Sequence, residues 1–84
     1  HTVQQVVVEM LCDPFTKPDR FQIIYMGNVI GDTGMVGEDI GDPGEGIPLN
    51  ATADGASPVI TIRVMTGPLG TDWHWDASVT YHLQ

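Results

Sequence analysis

The feature that most constrains the fold lies at the end of the sequence. From Asp72 to Gln84, apolar and polar residues alternate almost without a break. Trp73, Trp75, Ala77, Val79, Tyr81 and Leu83 fall on one side; His74, Asp76, Ser78, Thr80, His82 and Gln84 fall on the other. Side chains on a strand repeat every two residues, so this stretch predicts a long strand with one buried and one wet face. The pattern assigns both tryptophans to packing.

Shorter stretches read the same way. In Val3 to Met10, Val6, Val8 and Met10 share one side, and Gln5, Val7 and Glu9 the other. Asp13-Pro14 and Lys17-Pro18-Asp19 bracket a loop, because proline and aspartate favour turns. Phe21, Ile23 and Tyr25 mark a second strand, the turn Met26-Gly27-Asn28 follows, and Asn28 to Gly31 returns beside it. Gly31 to Gly46 is rich in glycine and acid and reads as a long loop, with a short strand around Thr33 to Val36. Ile47 to Asn50 predicts a brief pairing. Pro58 to Thr66 predicts a strand with Ile60, Ile62 and Val64 inward, joined to the last strand as another hairpin through Gly67-Pro68-Leu69-Gly70. No stretch has helical periodicity of useful length. The expected fold is all-β: one domain over residues 1–84, a small antiparallel β-sandwich, immunoglobulin-like or jelly-roll-like, of about five to seven strands. Its predicted core is Phe21, Ile23, Tyr25, Ile60, Ile62, Val64, Trp73, Trp75, Val79 and Tyr81.

A chain of 84 residues buries only about 60–65% of its unfolded surface, so neighbours, a metal or repetition would add to its stability. An intrachain disulfide is excluded, since Cys12 is the single cysteine. Cys12 reads as a small buried hydrophobe, and Asp13 beside it raises the thiol pKa, against reactivity. Eleven acids against three bases give a formal charge of −8, which disfavours nucleic acid and anionic lipid as partners. No apolar run has the length to span a bilayer, and no signal-like segment is visible. His1 in place of a methionine suggests processing or excision from something longer.

The chemistry-bearing residues give few coherent sites. Asp32, Glu38, Asp39, Asp42 and Glu45 crowd one glycine-rich loop and are the candidate ligands for calcium, which favours several oxygens on flexible backbone. Their spacing does not match a helix–loop–helix calcium loop, and solvation is the simpler role. His74 and Asp76, two apart on the wet face, are close enough to share an ion. His82 is too far along the strand to join them, roughly 26 Å at about 3.3 Å per residue, and zinc needs three or four ligands. Gly31, Gly34 and Gly37 lack the lysine and helix of a phosphate cradle. Cys12 and Ser57 sit in no nucleophile motif. The expectation is no enzyme activity and no cofactor, with calcium as the alternative. Phe15, in its proline-flanked loop, is the one aromatic expected to stand free for a glycan.

Residues Pro18 to Ile30, then Asp32-Thr33-Gly34, Val36-Gly37 and Gly70-Thr71-Asp72-Trp73, carry a resemblance. The chain from Cys12 to Tyr81 resembles β-sandwich modules of bacterial surface proteins, secreted multidomain proteins and phage virion proteins. Such modules often carry a second cysteine near their end, which this chain lacks. The resemblance implies a structural role: a phage virion component, capsid-decorating or tail-associated, that binds a protein lattice or copies of itself as a homo-oligomer. Nucleic acid and membrane insertion are not expected. The alternative is an adhesive or glycan-binding module of a secreted or cell-surface protein, calcium-assisted. Edge strands mediate such assembly, and the valine-rich Val3, Val6, Val7 and Val8 are the candidate assembly strand. Arg20 is expected to bond a nearby carboxylate, Asp19 or Asp32.

Overall fold

The structure is a computed structural model that describes residues 3–57, 59–66 and 72–83; the Gly67-Pro68-Leu69-Gly70 link, Pro58 and Gln84 lie outside them. Six strands follow in order: β1 (Val3–Asp13), β2 (Asp19–Tyr25), β3 (Asn28–Val36), β4 (Ile47–Asp54), β5 (Thr61–Thr66) and β6 (His74–Leu83). One short 3-10 turn, Glu38–Ile40, interrupts the segment between β3 and β4. The strands form two antiparallel three-stranded sheets, ordered β4-β1-β6 and β3-β2-β5, a small β-sandwich.

β5 and β6 belong to different sheets, so they do not form the hairpin the sequence suggests; local chemistry explains the β2–β3 hairpin. Met26 and Gly27 have φ of 49° and 80°, and Tyr25 pairs directly with Asn28. Two left-handed residues in a two-residue loop match the twist of the flanking strands. β3 is longer than the sequence suggested, because it passes through Gly31 and Gly34 instead of stopping at the first glycine. The register slips between Arg20 and Gln22, opposite Thr33 and Gly34, and Gly34 takes φ 68° there. This is a bulge: the Phe21 amide donates to Thr33 Oγ1 at 3.0 Å, and a glycine absorbs the turn. β4 likewise runs on to Asp54, because Ala51 and Ala53 fit closely beside Val8 and Val6.

The core lies between the sheets. Val6, Val8, Met10 and Cys12 of β1 face Phe21 and Ile23 of β2, all fully or almost fully buried, with Val36, Leu49 and Ala51 around them. Ile60, Ile62 and Val64 are partly buried against this cluster. The buried Tyr25 hydroxyl accepts from the Ser57 amide at 2.6 Å and faces the Asp54 and Ser57 carbonyls, each at 2.7 Å. It fastens the β4–β5 connection to β2.

Two expectations are corrected. The valine-rich segment is no edge strand. β1 is the centre of its sheet, paired with β4 on one side and β6 on the other. Val6 and Val8 are fully buried and Val7 half-buried, so Val3, Val6, Val7 and Val8 form no assembly strand. The second correction concerns the last strand. Trp73, Trp75, Val79 and Tyr81 are not core: they remain 43%, 36%, 38% and 43% exposed.

Candidate functional site

The alternation in β6 sorts its faces as read from the sequence, yet the apolar one stays partly open to solvent. Tyr81 pairs with Val6, Val79 with Val8, Ala77 with Met10 and Trp75 with Cys12. Directly opposed residues of neighbouring strands share a face, so these four look toward the same interior that buries β1. The strands of β3 and β4 meet across the sandwich, which closes that side. At the opposite edge every described residue of β6 is exposed. β6 is also the edge of its sheet, with one flank unpaired among the described residues. Trp73, Trp75, Val79, Tyr81 and Leu83 together present on the order of 400 Å² of surface, a patch of the size that marks interaction sites.

The outer face of the same strand gathers the polar residues. His74 pairs with Asp13 in register and Asp76 lies two positions on, opposite Leu11. His74 Nδ1 is 3.1 Å from Asp13 Oδ2 and 3.8 Å from Asp76 Oδ2. Among the described residues, this is the one group of histidine, cysteine or acid side chains with ligand atoms all within 4.8 Å of one another. The other Asp13 oxygen accepts the Gly46 amide at 2.8 Å. His74 and Asp76 were legible as a pair in the sequence. Asp13 was not, since only the β1–β6 register brings it across 61 positions.

The acids of the loop do not converge as a calcium site would require. Asp32 belongs to the outer face of the second sheet, where Arg20 Nε donates to Oδ1 at 2.8 Å and Arg20 Nη2 donates to Oδ2. The Gly34 amide and Gln22 Nε2 add bonds of 2.8 and 3.0 Å. The Arg20 hydrogen bonds first, then those from Gly34 and Gln22, hold the Asp32 carboxyl well below the usual carboxylate range. Gln22 also accepts from Arg63 on β5, so the network ties three strands together. Asp39 pairs instead with Lys17 at 3.0 Å. Glu38, Asp42 and Glu45 join no described ligand group with Asp32 or Asp39. Phe15 does not stand free; it is half-buried, and its backbone bonds Gly44 and Glu38 to pin the loop.

Cys12 is fully buried, and burial, then the Asp13 charge, push its thiol up to about 11. An open groove crosses the outer face of the first sheet between Pro48 and Asn50, Glu9 and Leu11, and Asp76 and Ser78. Its acids stand on exposed strand positions. Compared with known proteins, the chain matches no family model, no curated protein and no solved structure.

Proposed function

We propose that this chain is a non-enzymatic assembly module that joins neighbouring protein subunits through β6. The observation that carries the proposal is the partly exposed apolar strip on β6, an edge strand of its sheet among the described residues. Free edges and contiguous apolar patches are costly to leave open in water, and strand addition removes both at once. The strip supplies about half of the roughly 800 Å² that each partner buries in a stable interface. The ladder groups and flanking side chains of the edge can supply the rest.

The partner we assign to the strip is a second copy of the chain. β6 holds a single acid, Asp76, in a chain of net charge −8, so like-charge repulsion along this edge is weak, and it is the edge that carries the large exposed apolar side chains. Antiparallel two-fold pairing about Ser78 sets Trp75 opposite Tyr81 and Ala77 opposite Val79, while Asp76 meets Thr80. No acid faces an acid. In its finer form the proposal is a small phage virion component, decorating a capsid or associated with a tail. The acidic surface and small core suit a coat protein stabilised by its neighbours.

The test is the mass of the chain in solution by light scattering across concentration. A reversible dimer or higher oligomer that Val79→Lys abolishes is the expected result; a monomer at every concentration overturns self-association. One observation favours a second reading. Trp73, Trp75 and Tyr81 are exposed on one face, and such aromatics stack on sugar rings in glycan-binding modules. Tryptophan fluorescence that shifts saturably with an oligosaccharide, in a chain that stays monomeric, would decide for that reading.

A further inference from the structure

We propose that Asp13, His74 and Asp76 form a surface site for a divalent transition ion of the zinc type. The ligand set is one imidazole nitrogen and two carboxylate oxygens, already within 4.8 Å of one another. Mixed nitrogen and oxygen donors suit a borderline ion such as zinc, whereas calcium and magnesium take oxygen alone and in greater number. Three protein ligands leave a fourth tetrahedral position for water or for a group from outside.

The sheet holds these residues in place. Asp13 and His74 stand directly opposite in the β1–β6 ladder, and Asp76 follows on the same outer face. His74 and Asp76 are exposed and Asp13 is half-buried, so the first two side chains are open to solvent and to an incoming ion. Asp13 is oriented by the Gly46 amide on one oxygen, which leaves Oδ2 turned toward His74. An ion pair of His74 with Asp13 at 3.1 Å and with Asp76 at 3.8 Å reaches all three groups but sets two carboxylates against one imidazole. It leaves the Asp76 carboxylate beside the Asp13 carboxylate in a chain of net charge −8, and a dication relieves that repulsion. The neighbouring Cys12 takes no part, since it is buried on the opposite face of β1. The site lies on the outer face of β6, and all three of its ligands come from one chain.

The experiment is calorimetric titration of the chelator-stripped chain with zinc chloride. Saturable binding of one zinc per chain is expected, weakened at least about tenfold by His74→Ala and by Asp13→Asn. Asp13→Asn keeps an oxygen for the Gly46 amide, and His74 is exposed, so both variants should fold; circular dichroism verifies it. The double variant Asp39→Asn with Asp42→Asn should bind as the parent does. Absence of saturable binding overturns the proposal, as does binding that His74→Ala and Asp13→Asn leave intact.

Discussion

Two ionisable residues show how position sets chemistry here. The Asp32 carboxylate, clamped by Arg20 and by the Gly34 amide, has its pKa lowered on folding. A depressed carboxyl stabilises the fold above its unfolded pKa of about 3.9 and loses that contribution as pH falls toward the folded value. Acid unfolding of Asp32→Asn should therefore show a shallower loss of stability below about pH 4. At neutral pH the substitution should cost about 1 kcal/mol or less, since the ion pair is partly exposed. Melting temperatures measured from pH 2 to 7 check both statements. Cys12 runs in the opposite direction. Its thiol is pushed up to about 11 by burial and by Asp13, so the unfolded chain loses the thiol proton at lower pH than the fold does. Stability should fall as pH rises from about 8.5 toward that value. A thiol reagent at neutral pH should label Cys12 only in denaturant; rapid labelling of the native chain would contradict its burial.

At the scale of the element, β6 separates the direction of a side chain from its burial. Phe21→Ala should cost about 3–5 kcal/mol, as expected for a large side chain removed from a closed core. Trp75→Ala should cost less, about 1–2 kcal/mol, because its ring already keeps partial contact with water. Denaturant midpoints of the two variants compare them directly, and equal losses would mean that β6 is covered in solution. The same strand shows what the sequence could reveal. Period-two alternation identified β1, β2, β5 and β6 and sorted their faces correctly. Alternation carries no information about which sheet lies opposite, so the tryptophans read as core. Similarly, valine content marked β1 as a strand, but only pairing partners decide centre from edge. The extent of β3 was hidden by Gly31 and Gly34, which resemble loop residues until the bulge opposite Phe21 is seen. Asp13 escaped notice for the same reason, as cross-strand register is a long-range property.

For the whole molecule, the apolar strip and the net charge act against each other. Two copies meeting along β6 each bring a formal charge of −8, and that repulsion extends about 10 Å at 0.1 M salt. Added salt shortens its range to about 3 Å at 1 M while leaving apolar burial intact. Self-association through β6 should therefore strengthen with sodium chloride. Sedimentation velocity at roughly 50 and 500 mM salt should show the dimer fraction rising at fixed chain concentration. Contacts built mainly on ion pairs would weaken over the same range, so a falling dimer fraction would move the interface away from Trp75, Val79 and Tyr81. Val79→Lys separates the two further. It places a cation inside the strip, where it meets its symmetry mate's apolar side chains and must lose its water. Dimerisation should disappear at both salt concentrations, even though the substitution lowers the net negative charge of the chain. Persistence of the dimer would show that charge balance, and not the strip, governs how the subunits meet.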